Sequence, residues 1–125
     1  GVFGSIANNK YISEISAAVS NAVTQVHLKG IKIHYLICGK MHDHALFNEI
    51  KSRFENLGLN EYFYYESPAD ELEFDGLMTA SDIVISCRKQ DRGQLSHIIP
   101  RALSLGRPLL TNLKSGYSMI DPDFI

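Results

Sequence analysis

The chain has 125 residues, of which 45% are apolar and 21% charged, and its formal net charge is -2. This length fits one domain with a sizeable core and leaves no room for a second full domain. The slightly acidic balance gives no electrostatic reason to expect nucleic acid or an anionic membrane as a partner. Because no apolar run approaches the length of a membrane span and the start lacks a signal-peptide pattern, we expect a soluble, cytoplasmic protein.

Short runs of β-branched and aromatic residues alternate with segments of helical period along the whole chain. In chain order the pattern predicts a strand at 2–6, a helix at about 12–26, a strand at 31–38, a helix at about 46–57 and a strand at 61–65. A short helix follows at about 67–80, then a strand at 82–87, a helix at about 96–105 and a strand at 109–112. Gly30, Gly58 and Gly106 are placed to end three of the helices.

Five strands that alternate with helices indicate right-handed βαβ crossovers, since the connections are too long for hairpins. The predicted fold class is therefore α/β, with a doubly wound, mostly parallel, Rossmann-like sheet covered on both faces. In such sheets ligands bind outside the carboxyl ends of the strands, where the strand order reverses. The loops that follow the five strands are the places to look for a site.

The cysteines and histidines do not suggest a metal centre. Cys38 and Cys87 stand far apart without a Cys-x-x-Cys spacing, so we expect buried, reduced thiols. His42 and His44 are close in sequence but lack an evident third ligand. We expect no metal to be bound.

Several catalytic motifs of α/β domains are missing from the sequence. The first loop, GSIANNK, contains neither the G-x-G-x-x-G dinucleotide fingerprint nor the P-loop pattern. Asparagines stand where a phosphorylation-receiver domain would need clustered acidic residues. No G-x-S-x-G elbow is present, and no close carboxylate pair falls at a predicted strand end. Hydride transfer, NTP hydrolysis and serine-nucleophile chemistry therefore lack support.

Two loops could hold a phosphate. In the first, Gly4 would allow close backbone approach and Lys10 could anchor the anion, although a turn glycine and a solvated lysine fit the same residues. The second loop carries cations before a predicted helix whose N-cap would be Ser96, an arrangement that binds phosphate or pyrophosphate. Its cations are Arg88, Lys89 and Arg92. An ordinary charged surface loop is the alternative there.

Residues 93–112, GQLSHIIPRALSLGRPLLTN, resemble the donor-binding segment of family 4 retaining glycosyltransferases, whose pattern is E-G-F-G-x-x-x-x-E-A-x-x-x-G-x-P-V. A variant pattern, G-E-x-S-x-x-x-x-R-A-L-x-x-G-x-P, is closer. The start VFGSIANNK is similar to the V-G-R-x-x-x-x-K segment of those enzymes, and ASDIVIS at 80–86 is similar to their A-D-hydrophobic strand. The matching segments occur in the same order along nearly the whole chain.

The resemblance implies that residues 1–125 form the C-terminal, nucleotide-sugar-binding domain of a two-domain GT-B enzyme of polysaccharide or glycoconjugate biosynthesis. The chain would be a fragment, inactive alone, whose N-terminal acceptor domain is absent. The donor would be a nucleotide-diphosphate sugar, bound without a metal or other cofactor, and the acceptor a glycan, lipid or protein. Association of the parent enzyme with the inner membrane face is left open.

The resemblance also implies residue roles. Lys10 would act catalytically by neutralising the donor diphosphate as leaving-group charge grows. Gly4 would let the loop approach the ligand, the segment Leu95, Ser96 and His97 would hold the diphosphate, and Gly93 and Gln94 would approach the sugar. Arg88 or Arg92 could assist.

Three residues depart from the usual pattern. Ser5 replaces a phosphate-binding arginine, Gln94 replaces an acidic residue of the closer variant, and Arg101 stands where a glutamate usually binds the ribose. A guanidinium cannot accept the hydrogen bonds that a carboxylate accepts. These departures leave two alternatives open: a degenerate, non-catalytic interaction domain, or a nucleotide-sugar 2-epimerase-like enzyme, which would need carboxylates not seen here.

Overall fold

A computed structural model describes residues 1–7, 11–89 and 96–112. Strands and helices alternate along the chain: β1 (Val2–Phe3), α1 (Ile12–His27), β2 (Tyr35–Cys38), α2 (His44–Asn56), β3 (Phe63–Glu66), α3 (Glu71–Ala80), β4 (Val84–Ser86), α4 (Ile98–Ser104) and β5 (Leu109–Thr111). A single 3-10 turn, Asn60–Tyr62, precedes β3. The predicted order of elements is confirmed.

The five strands form one sheet in the order β3-β2-β1-β4-β5, and every pair is parallel. The chain builds one half of the sheet from β1 through β2 to β3, then returns to the other side of β1 for β4 and β5. Val2 pairs with Ile37 on one side and with Ile85 on the other. The predicted α/β class and doubly wound, parallel, Rossmann-like sheet are therefore confirmed.

The sheet separates two apolar cores because successive side chains of a strand point to opposite faces. One core joins the sheet to α1 and α2 and contains Ile12, Val23, Ile37, Ile50 and Phe54. The other joins it to α3 and α4 and contains Phe3, Cys38, Met78, Val84 and Ile98. The helices thus cover both faces of the sheet. The amino ends of the strands form one side of this layer, which we call the amino edge, and the carboxyl ends form the opposite side, the carboxyl edge.

The strands are shorter than the sequence predicts. The predicted 2–6 strand pairs only over Val2–Phe3, with Ile6 in a separate bridge to Met41, and the predicted 31–38 strand begins at Tyr35. The predicted 61–65 strand starts at Phe63, because the preceding residues form the 3-10 turn. A strand ends where its neighbours stop offering backbone partners, and apolar composition does not reveal that point.

Helix ends follow the local rules more closely. The carboxylates of Asp43 and Asp70 cap α2 and α3 by accepting from Leu46 N at 3.0 Å and Glu73 N at 2.8 Å. Within the described ranges, no helix combines the length and apolar character that a bilayer crossing requires.

Candidate functional site

The strand order reverses at β1, so the carboxyl ends of β1 and β4 border the crevice where doubly wound sheets bind ligands. Phe3 ends β1 and Ser86 ends β4. The segments leaving these two strands are the loop that begins at Gly4 and the loop that begins at Cys87. The described residues of these loops form the candidate site.

The β1 loop is fixed to the loop after β2 by backbone hydrogen bonds. Gly4 N donates to Cys38 O at 2.9 Å, and Ile6 N donates to Lys40 O at 2.9 Å. Gly4 has a φ of 101°, which only glycine adopts readily. Ser5, between these anchors, is exposed. Gly4 and Ser5 therefore lie at the carboxyl edge of the sheet, and their expected role toward a ligand stays a prediction.

The close approach of the β1 loop to the loop after β2 also requires a glycine at position 39. A Cβ atom on Gly39 would overlap the backbone carbonyl of Gly4. Gly39 also accepts a hydrogen bond from the Tyr65 hydroxyl at 2.9 Å, and its N–H donates to Glu66 O at 3.0 Å. The ends of β1, β2 and β3 are therefore locked together around a position that requires glycine.

Hydroxyl groups tie the end of β4 to its neighbours. The Ser86 and Ser96 hydroxyls lie 3.3 Å apart, and the Thr111 hydroxyl donates to Ser86 O at 2.6 Å. Ser96 is buried. The residue expected to cap α4 instead faces the end of β4.

The start of α4 differs from the prediction. The helix begins at Ile98, and the side chain of the N-cap residue, His97, makes no capping hydrogen bond within the described part of the chain. Ser96 O accepts from Ile99 N at 3.1 Å, so this residue contributes its carbonyl group to the first turn. The expected role of Ser96 as the N-cap is wrong, because its hydroxyl is turned toward Ser86. His97 is exposed.

Arg88 lies two residues beyond β4, and Asn112 holds its backbone on both sides. Asn112 Oδ1 accepts from Arg88 N at 3.1 Å, and Asn112 Nδ2 donates to Arg88 O at 2.9 Å. Arg88 Nε is buried and has no hydrogen-bond partner among the described residues. Leaving a buried donor unsatisfied costs about 1–3 kcal/mol, so this nitrogen suggests a missing acceptor.

Lys89 bridges from the β4 loop to the start of α1. Its Nζ lies 3.5 Å from Glu14 Oε1 and 5.4 Å from the Tyr11 ring centroid. Tyr11 is the N-cap of α1 and has a φ of 52°, in the left-handed region. Left-handed residues other than glycine often mark functional loops. The contact brings the β4 loop against the first turn of α1.

Arg101 does not stand free at the ligand edge. Its guanidinium forms ion pairs with Asp75 and Glu71 of α3 and lies 4.7 Å from the Phe74 ring centroid. The hydrogen bonds that Arg101 donates to Asp75 and Glu71 raise the pKa of its guanidinium. A ligand would have to compete with two carboxylates for this side chain.

Four predicted site residues fall outside the described part of the chain. They are Lys10, Gly93, Gln94 and Leu95. Arg92, named as a further phosphate cation, also lies outside it. The roles expected of these residues stay predictions.

Both thiols are less acidic than free cysteine. Burial, followed by the charges of Glu66 and Glu73, raises the pKa of Cys38 to about 11. Burial also raises the pKa of Cys87. Both thiols stay protonated at neutral pH, which makes them poor nucleophiles and poor metal ligands. Among the residues that the structure describes, no group of three metal-ligating side chains comes together.

An open groove of about 480 Å³ lies between α1 and α2, away from the carboxyl edge. Its charged side chains, Glu49 and Arg53, are 3.9 Å apart, and Glu49 also accepts from Ser13. These groups partner one another, so the strand ends remain the better candidate site.

No family model and no curated protein sequence matches the chain. One solved structure matches its fold: the C-terminal domain of a glycosyl transferase group 1 family protein, LpcC, from Francisella tularensis. The TM-score is 0.79 over 98% of this chain, with 17% sequence identity. The chain has the fold of a glycosyltransferase C-terminal domain.

That match confirms the expected resemblance at the level of the fold. The chain spans 62% of the length of the matched structure. The sheet and its helices therefore share the fold of the C-terminal domain of that glycosyl transferase.

Sequence reasoning missed two residues that shape the site. Asn112 fixes the Arg88 backbone by hydrogen bonds, and the ring of Tyr11 lies under the ammonium group of Lys89. A polar residue directly after β5 is a usable signal for the first, because the carboxyl ends of parallel strands share one edge. The left-handed conformation of Tyr11 has no signal in the sequence.

Proposed function

We propose that this chain is the donor-binding domain of a glycosyltransferase and binds the diphosphate of a nucleotide sugar at the crevice between β1 and β4. One observation carries the proposal: the buried, unpartnered Nε of Arg88 at the carboxyl end of β4. This N–H group lacks a hydrogen-bond acceptor among the described residues, and a phosphate oxygen would supply one. The fold shared with a glycosyltransferase C-terminal domain supports the same conclusion.

The chemistry needs cations at this edge. When the sugar leaves the nucleotide, negative charge grows on the diphosphate, and positive groups that are already in place stabilise the transition state. Asn112 holds the backbone of Arg88 before any ligand arrives, so the main chain that carries this cation needs little reorganisation. Lys10 would supply the second cation, and Gly4 and Ser5 would form the wall on the β1 side.

The rest of the proposed reaction depends on the remainder of the parent enzyme. The sugar would pass to a glycan, lipid or protein acceptor held by another domain, in a cleft facing the carboxyl edge. Gly93 and Gln94 would lie on the sugar side, and Leu95, Ser96 and His97 beside the diphosphate. The donor is proposed to bind without metal, since the cations replace a divalent ion.

Calorimetric titration of the chain with UDP, GDP and ADP, with and without Mg²⁺, tests the proposal. We expect saturable binding of one diphosphate without metal. Arg88→Gln should weaken that binding about 10- to 100-fold, the loss expected for a charge-assisted hydrogen bond. Binding of the matching nucleoside should change little, because it lacks the phosphates.

Arg53→Gln is the matched control, since it removes the same charge from an exposed position on α2. Its diphosphate affinity should equal that of the wild type. Equal loss in the two variants, or equal loss of nucleoside and diphosphate binding in Arg88→Gln, would rule out the phosphate role. Lys10→Ala is expected to behave like Arg88→Gln.

A second candidate is a domain that kept the fold and lost the donor site, serving as an interaction module. The pairing of Arg101 with Asp75 and Glu71 favours it, because the side chain at the expected ribose position is already engaged. Absence of binding for every nucleoside diphosphate at millimolar concentration, with the fold intact by circular dichroism, would favour this candidate over the transferase.

A further inference from the structure

The turn between α1 and β2 projects from the amino edge of the sheet, opposite the candidate site. Two large apolar side chains in it face solvent: Leu28 is 90% exposed and Ile31 is 53% exposed. All residues from 27 to 32 are exposed. We call this surface the basic-apolar tip and define it by His27, Leu28, Lys29, Ile31, Lys32 and His34.

Local hydrogen bonds fix the conformation of the tip. Gly30 N donates to His27 O at 3.1 Å, and Ile31 N donates to Val26 O at 3.2 Å. With Gly30 at a φ of 73°, this is a Schellman motif, which closes the end of the helix. Leu28 and Ile31 are therefore presented by a formed turn, and binding through them requires little ordering of the backbone.

The tip is positively charged although the chain as a whole is acidic. No Asp or Glu occurs from residue 15 to residue 42, and Lys29 and Lys32 both lie in that interval. One carboxylate on this side of the molecule is Glu61, which interacts with Tyr62, the residue whose hydroxyl lies 3.5 Å from His27 Nδ1. The whole-chain charge, which gave no electrostatic reason to expect an anionic membrane as a partner, does not describe this surface.

Helix electrostatics explain only part of the arrangement. Cations near a helix carboxyl terminus complement the helix dipole, and this accounts for His27 and Lys29. It does not account for Lys32, which lies beyond the helix, or for the exposure of Leu28 and Ile31. Exposed apolar side chains flanked by lysines are typical of surfaces that lie in the headgroup region of a bilayer.

A second exposed leucine shows the contrast. Leu72, in the first turn of α3, is 82% exposed but is flanked by Glu71 and Glu73. Its neighbours would repel an anionic surface. The two leucines are alike in exposure and opposite in the charge around them, which makes Leu72 an internal control.

We propose that the basic-apolar tip binds the surface of an anionic lipid bilayer. Leu28 and Ile31 enter the boundary between headgroups and acyl chains, while Lys29 and Lys32 contact lipid phosphates. Because the tip and the crevice between β1 and β4 lie at opposite edges of the sheet, a bilayer at the tip leaves the carboxyl edge open. The proposal does not depend on what binds there.

Flotation of the 125-residue chain with vesicles tests the proposal. We expect binding to vesicles of mixed phosphatidylcholine and phosphatidylglycerol, with little binding to phosphatidylcholine alone. Lys29→Ala and Lys32→Ala should each weaken binding about fivefold, and molar salt should weaken it further. Leu28→Ser should weaken it about tenfold, and Leu72→Ser should leave it unchanged.

Leu28→Ser should keep the wild-type melting temperature, because the side chain makes almost no buried contact. Equal binding of Leu28→Ser and Leu72→Ser, or no binding of the wild type to anionic vesicles, would overturn the proposal. So would self-association of the wild type in sedimentation that Leu28→Ser abolishes without vesicles present, since the tip would then join copies of the chain.

Discussion

The two edges of the sheet are closed in different ways. At the amino edge three of the four described helices, α1, α2 and α4, end in local turns with a glycine at positive φ; these glycines are Gly30, Gly58 and Gly106. At the carboxyl edge the chain is held by contacts between distant segments, such as Gly4 with Cys38 and Arg88 with Asn112. Local turns can be read from a short stretch of sequence, whereas the carboxyl edge exists only once the sheet has assembled.

The largest difference in the free energy of unfolding should come from replacing one glycine at each edge by alanine. Gly39→Ala places a Cβ against the Gly4 carbonyl and should lower the free energy of unfolding by about 3 kcal/mol. Gly30→Ala meets no atom within 4 Å and should cost only about 1 kcal/mol, for the positive φ. Urea denaturation of both variants measures the difference. Equal losses would mean that the carboxyl edge adjusts as easily as a local turn.

Alkaline pH should destabilise the fold through the two ends of β2. The folded-state pKa of Cys38 is raised to about 11 and that of Tyr35 to about 12, in both cases chiefly by burial, with Ser16 opposing the shift of Tyr35. A raised pKa means that this stability is present below the unfolded value and lost as pH rises through the folded one.

Urea melts between pH 8 and pH 12 can separate these contributions. The loss should begin near pH 9 for Cys38 and near pH 10 for Tyr35, reaching about 2–3 kcal/mol for each. Cys38→Ala should remove the first part of the decline and Tyr35→Phe the second. An unchanged decline in both variants would contradict the assignment to β2.

A smaller effect is expected between α3 and α4. Arg101→Met removes ion pairs with Asp75 and Glu71 and the contact with Phe74, and should cost about 1 kcal/mol. Arg53→Met, which breaks the exposed pair with Glu49, should cost less than half of that. Thermal melts measure both losses. A large loss of nucleotide binding in Arg101→Met with no loss of stability would assign Arg101 to the ligand instead.

The same division between local and distant contacts explains what the sequence could predict. The helix stops at Gly30, Gly58 and Gly106 are confirmed, because a Schellman-type end depends on neighbouring residues alone. The order of strands and helices is confirmed for the same reason, since each element has its own periodicity.

The strand limits and the details of the site needed tertiary information. The stretch at 31–34 alternates isoleucine with polar residues like a strand but lies outside the β2 ladder, because β3 offers partners only from Phe63 onward. Serine is a common N-cap residue, yet the hydroxyl of Ser96 lies beside the Ser86 hydroxyl and not at the start of α4. No residue near Arg88 in the sequence indicates that the side chain of Asn112 will hydrogen-bond to its backbone.

The pairing of Val2 with Ile85 has a consequence for how the molecule folds. One half of the sheet, with α1 and α2 and their core, can assemble during synthesis before β4 has left the ribosome. Until then β1 offers an unpaired edge, which is a template for association with other chains. Pulse-labelling hydrogen exchange should accordingly protect Ile37 before Ile85. The contact between β1 and β4 forms last. A ligand that binds across the crevice between these strands would therefore stabilise the part of the native state that forms latest.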